Sequence, residues 1–299
     1  MSSKKNKKRG GAGKAVRTII LLIALAVFCY SAYQLYSIFH VYRAAGREYD
    51  ELAENYTDPD GVNGVAAGSG AADGPVIAAE EEFVEDAEPP FSVDFESLRA
   101  INPDVIGWLY VDALPNINYP ICRGEDNDYY LHHTFRKEYL FAGSIFMDCV
   151  NTPDFSDPST IVYGHNMRNQ SMFGLLKFLK DQEKLDSDPY FWILTPTASY
   201  RYHIYSSFDT RFDSDAYTLF AGGGDNFLKW EEEMKSRSVI TQDVPLSTND
   251  HTVILSTCTS NSSVRCVVFG KCVSSVRPPA PHVDPALFDE EAIQERSQS

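Results

Sequence analysis

The sequence predicts a mainly β domain, a barrel or sandwich, carried behind one membrane-spanning helix. From Ser92 to Val276, short runs rich in Val, Ile, Tyr and Phe recur between turn-forming Gly, Pro, Asn and Asp, the pattern of many short strands. Such regular turns favour a barrel or sandwich over a parallel sheet, although a few helical stretches are interspersed. Ahead of this region, Val16 to Phe39 is almost free of charge over roughly twenty-odd residues, long enough to cross a bilayer as a helix.

The N-terminal elements follow from charge. Residues 1–15 form a basic tail with Lys4, Lys5, Lys7, Lys8, Arg9 and Lys14, followed closely by Arg17. A cleavable signal peptide has an apolar core of about 7–15 residues and a small-residue exit. The run here is longer and ends in Tyr36, Ile38, Phe39 and His40. Tyr30, Tyr33 and Tyr36 suit an interfacial aromatic belt. The basic flank outweighs Arg43 and Arg47, which places the N-terminus in the cytoplasm and the remainder outside. Residues 16–40 are therefore expected to be an uncleaved signal anchor. Residues 41–91 carry scattered Gly and Pro and an acidic run from Glu80 to Glu88, and are expected to be a flexible stalk. Helix is expected to continue from the span over Tyr42 to Leu52.

The domain proper is expected over 92–276, followed by a loose tail over 277–299. Asp94 to Ile101 reads as a short amphipathic helix ending before Pro103. Ile106 to Val111 and Ile117 to Cys122 are strand-like, and Asn127 to His133 is helical in pattern. Gly143 to Met147 and Thr160 to Tyr163 are short strands. Met172 to Leu179 has helical spacing, with Phe173, Leu176 and Leu179 on one side. Tyr190 to Leu194, Tyr200 to Phe208, Val253 to Leu255 and Val264 to Val273 complete the strands. A helix over Asp225 to Arg237 separates the last two pairs.

Composition excludes some functions. The net charge is −16, and setting aside the seven basic residues up to Arg17 leaves −23 for the remainder. So acidic an ectodomain would repel nucleic acid. Six cysteines are present, of which Cys29 lies in the apolar span and Cys122, Cys149, Cys258, Cys266 and Cys272 lie beyond it. On one straight strand Cys266 and Cys272 are separated by six steps of about 3.3 Å, beyond disulfide reach. No C-x-x-C pair is present to hold zinc, and no motif indicates an organic cofactor.

One phrase carries chemistry. Leu255-Ser256-Thr257-Cys258 ends a run of β-branched residues, and Arg265 follows closely. A thiol at a strand end beside a guanidinium has the makings of a nucleophile with a cation to lower its pKa or bind an oxyanion. Upstream, Tyr163-Gly164-His165-Asn166 sets an imidazole after another strand. Cys, His and Arg together suffice to break and remake an acyl bond. Taken singly, a strand Cys is more often an inert core residue, and a lone His more often structural.

With these residues in hand the chain resembles the sortases, and within them class B. The likeness runs from about Asp94 to Val273. It is carried by Asn102-Pro-Asp-Val-Ile-Gly-Trp-Leu, Ile117-Asn-Tyr-Pro-Ile, Asp126-Asn-Asp-Tyr-Tyr-Leu, Gly143-Ser-Ile-Phe-Met-Asp, Tyr163-Gly-His-Asn-Met and the Cys258 phrase. The resemblance implies an eight-stranded β-barrel with N-terminal helices and a helix inserted between the sixth and seventh barrel strands. It implies a membrane-anchored cell-surface transpeptidase of the Gram-positive type. Such an enzyme cuts a secreted protein's C-terminal sorting signal after Thr and passes the acyl group to an amine on a cell-wall precursor. Some class B members join pilin subunits instead.

Cys258 would be the nucleophile, His165 the acid and base, and Arg265 the donor to substrate or oxyanion. Ser256, Asn127, Leu131, Tyr163 and Asn166 match positions that line the substrate groove or flank the histidine. Two departures stand out. Ile254 replaces a customary Thr, and the step from Cys258 to Arg265 is about one residue short, which the intervening loop must absorb. A water-resolved cysteine endopeptidase and a non-catalytic binding barrel are the alternatives.

Overall fold

The computed structural model describes residues 11–59 and 87–276. Its contacts divide the chain into two units, Met1–Glu48 and Tyr49–Ser299. Helix α1 runs over Gly11–Tyr56 without a proline to interrupt it. Within it Val16–Tyr36 has a mean hydropathy of 2.0, and none of its residues is buried. Such a stretch is long and apolar enough to cross a membrane.

The last turns of α1 belong to the second unit, where Tyr49 and Leu52 are buried. The segment expected as stalk over 41–91 is thus helical through Tyr56 and then forms strand β1 (Thr57–Asp58), which pairs with β2 (Ser92–Val93). The cause is local. Two large apolar residues three positions apart sit on one face of an otherwise charged helix and find a place in the core. The expectations for residues 1–10, 60–86 and 277–299 lie outside the described residues.

Helix α2 (Phe95–Ile101) is capped by the Asp94 carboxylate, which accepts from Ser97 N at 3.0 Å, and it buries Phe95 and Leu98. Eight strands follow: β3 (Val105–Val111), β4 (Asn118–Cys122), β5 (Ile145–Met147), β6 (Ser159–Tyr163), β7 (Tyr190–Leu194), β8 (Ser199–Arg211), β9 (Thr252–Cys258) and β10 (Val264–Val276). They close a barrel in the order β10-β8-β7-β3-β4-β5-β6-β9, with the β4–β5 and β6–β9 pairs parallel and the others antiparallel. Closure removes the open edges that a short-stranded sheet would otherwise expose.

Helix α3 is shorter than its pattern, Tyr129–His132. The Asp126 carboxylate takes the N–H groups of Asp128 and Tyr129, and the Asn127 side chain is drawn elsewhere, so the helix starts late. The helix expected over Met172 to Leu179 does not form as such. Gln170 and Met172 have φ of 68° and 53°, left-handed values that no helix accommodates. A 3₁₀ turn over Leu176–Lys180 takes up the end of that stretch, and helix α4 (Gln182–Ser187) follows it.

Helix α5 (Asp225–Ser236) fills the insertion between the sixth and seventh barrel strands. Phe227, Trp230, Glu231 and Met234 recur at helical spacing and form its buried face. The apolar members pack with Phe208, Ile254, Val267 and Phe269 of the barrel.

Candidate active site

The site is built by strand register. In the parallel β6–β9 pair Tyr163 is level with Ser256. Two residues further along each chain stand His165 and Cys258. The ends stay stitched after β6 finishes: Gly164 N donates to Ser256 O at 3.2 Å, Thr257 Oγ1 to Gly164 O at 2.7 Å, and Asn166 Nδ2 to Cys258 O at 2.8 Å. Gly164 leaves room for its neighbours, because a Cβ there would come within 2.4 Å of the Ile145 side chain and 2.7 Å of the Phe173 ring and force them to shift.

On the other side of β9, Arg265 is the direct partner of Cys258 in the antiparallel β9–β10 pair. Directly opposite residues project to the same face of the sheet. The short step between them is absorbed by a tight loop, with Thr259 N donating to Val264 O at 3.1 Å and Val264 N to Asn261 O at 3.0 Å. Nη1 of Arg265 donates to Ser262 O at 2.7 Å, and its guanidinium carbon stands 5.9 Å from the Phe212 ring centre.

Exposure separates Cys258 from most other thiols. Cys122, Cys266 and Cys272 are buried, whereas Cys258 and Cys149 are half-buried. Burial pushes Cys266 and Cys272 up to about 12, which keeps them protonated and unreactive. Among the described residues no two cysteines are joined in a disulfide.

His165 is gripped from two sides. One ring nitrogen, Nε2, lies 2.8 Å from Leu131 O, and the Phe141 ring stacks on the imidazole at 5.3 Å and 22°. A carbonyl only accepts, so Nε2 carries the proton and the neutral ring leaves Nδ1 as the acceptor. Burial is the largest influence on this imidazole and lowers its pKa below the usual 6.5. The Leu131 carbonyl opposes this, while His132 adds to it.

The other sequence-predicted residues surround this pair with their polar groups engaged inside the protein. Asn127 Nδ2 and Tyr163 OH both donate to Asp148 Oδ2 at 2.9 Å, and Asn127 Oδ1 accepts from Cys149 N at 2.8 Å. Leu131 contributes its carbonyl to His165, and Asn166 spans to the Cys258 carbonyl. Ser256 is buried, with its hydroxyl 2.8 Å from Tyr217 OH. Tyr217 ends a 3₁₀ turn of the insertion, and burial raises its phenol. Sequence reasoning missed Tyr217, Phe141 and Asp148. The aromatic run Tyr139-Leu-Phe141 was a signal of sorts, but nothing local tied it to His165.

A sequence model of the sortase domain matches residues 109–273. The chain belongs to the sortase family, whose members are cysteine transpeptidases. The relatives are of class B. Sortase B of Listeria monocytogenes is 35% identical over 184 residues, covering 60% of this chain and 74% of the relative. The crystal structure of Clostridium perfringens sortase B superposes with a TM-score of 0.57 at 32% identity, covering 60% of this chain and all of that one. A Staphylococcus aureus sortase B–substrate complex gives 0.56 at 30% identity, covering 60% and 84%.

Proposed function

We propose that the chain is a membrane-anchored transpeptidase that cleaves a C-terminal sorting signal after Thr and transfers the protein to an amine of a cell-wall precursor. The observation that carries this reading is the register across β6, β9 and β10, which brings His165, Cys258 and Arg265 to neighbouring positions at one end of the barrel. Nδ1 of His165 accepts the Cys258 proton, and the thiolate attacks the Thr carbonyl. Arg265 donates to the oxyanion or to the substrate backbone, for which a planar, permanently charged fork is suited. The imidazolium returns its proton to the leaving amine as the C–N bond breaks, leaving a thioester on Cys258. The incoming amine then loses a proton to His165 and displaces the thiolate.

Ser256, Asn127, Leu131, Tyr163 and Asn166 frame the substrate groove in this reading. The apolar stretch Val16–Tyr36 supports membrane anchoring, with the basic N-terminus inside and the barrel outside. Profiling sorting-signal peptide libraries with the full chain in detergent, with and without amine acceptors, tests the reaction. Ligated product that grows with acceptor and vanishes in Cys258→Ala supports it. Cleavage without any ligated product would point to a peptidase.

A further inference from the structure

We propose that Phe141 is a positioning residue, whose ring clamps the imidazole of His165 against the Leu131 carbonyl in a single orientation. The proposal rests on the acid and base role given to His165 above. Phe141 is a large apolar side chain left 60% exposed, a placement that core packing does not require. Among the described residues its aromatic partner is His165, on which it lies in an offset stack.

The Leu131 carbonyl and Phe141 belong to one braced segment. Leu140 N donates to His132 O at 2.8 Å, and Gly143 N donates to Leu140 O at 3.0 Å, so the strand-like return is tied back to α3. Gly143 turns the chain at φ 56°, where a Cβ would meet Tyr130 O at 2.5 Å, so only glycine fits. From behind, Tyr49 OH donates to Gly143 O at 2.7 Å and lies 3.2 Å from Ser144 Oγ, which itself donates to His133 O at 2.8 Å. The two jaws that hold His165 therefore cannot move independently. An imidazole serving first as base and then as acid in both half-reactions needs one fixed orientation, because small misplacement of a reacting group costs rate.

The test compares the full chain with Phe141→Ala, Phe141→Leu and Phe141→Tyr by kinetics and by NMR of labelled histidine, with His165→Gln identifying the His165 signal. A fixed Nε2–H donating to Leu131 should give a protected ring N–H resonance. Phe141→Ala and Phe141→Leu should lose that resonance and lower kcat about tenfold with KM within about twofold. Phe141→Tyr, which keeps the ring, should restore both, and thermal unfolding should be unchanged across the set. A resonance that persists in Phe141→Ala overturns the proposal, as does a rise in KM alone, which would make Phe141 a substrate contact. The ring signal is read without turnover. A wild-type chain that forms no ligated product would sink the transpeptidase reading and leave the clamp to be judged by the NMR result.

Discussion

Arg265 stands directly opposite Cys258 across the β9–β10 pair, even though the loop joining them is short. The pairing makes the cation a fixture of the barrel wall rather than of a mobile loop. Its side chain projects to the same face as the thiol, the placement that the proposed oxyanion role of Arg265 needs.

Arg265→Lys keeps the charge and loses the planar fork. Steady-state kinetics on a sorting-signal peptide should show kcat/KM reduced by about 100-fold, the scale for losing an oxyanion donor. Retention of wild-type kcat/KM would mean that Arg265 serves the loop carbonyl of Ser262 instead.

His165 is held below its ordinary value of 6.5, chiefly by burial. The neutral imidazole, the proposed base, is thus present at pH 7 and is lost only as pH falls through the lowered folded value. The acid limb of the kcat/KM profile should lie below pH 6.5. A limb above 6.5 would show that another group controls the reaction.

Asp148 is the shared acceptor of Asn127 and Tyr163, and it also accepts from Val150 N at 3.0 Å. Asp148→Ala leaves these donors without their carboxylate and should cost about 2–3 kcal/mol in urea unfolding. Asn127→Ala should recover part of that loss when combined with it. Simple additivity of the two would argue against a shared bond.

On the inner face of α5 the buried carboxyl of Glu231 is pushed from 4.5 up to about 8, first by burial and then by Asp250, against the hydrogen bond from Thr252. The folded protein keeps a proton that the unfolded chain releases near pH 4.5. This contribution to stability is full below that pH and declines as pH rises to about 8, by about 1.4 kcal/mol per pH unit. Glu231→Gln should flatten the decline in unfolding experiments between pH 5 and 9. An unchanged slope would place the titration elsewhere.

Much of the fold was legible because its signals are local. The α5 face shows in Phe227, Trp230, Glu231 and Met234, and the strands show in their β-branched runs. Cys258 and His165 stood out through their neighbours, yet their proximity is a matter of register between β6 and β9, which no local pattern encodes. The helix expected from Met172 failed because left-handed backbone at Gln170 and Met172 overrides apolar spacing. Tyr49 and Leu52 were invisible for a related reason. Two apolar residues on a charged helix become core only once β4 and the Gly143 turn are there to receive them, as in the edge contact of Tyr49 with Tyr119 at 5.4 Å.

Intact-mass analysis of the full chain mixed with a cleavable sorting-signal peptide tests the central claim most directly. The wild-type chain should gain the mass of the acyl fragment on Cys258, and added amine should discharge it into ligated product. Cys258→Ala should show neither event. Cleavage that persists in Cys258→Ala, or an adduct mapped to another thiol such as Cys149, would contradict the assignment.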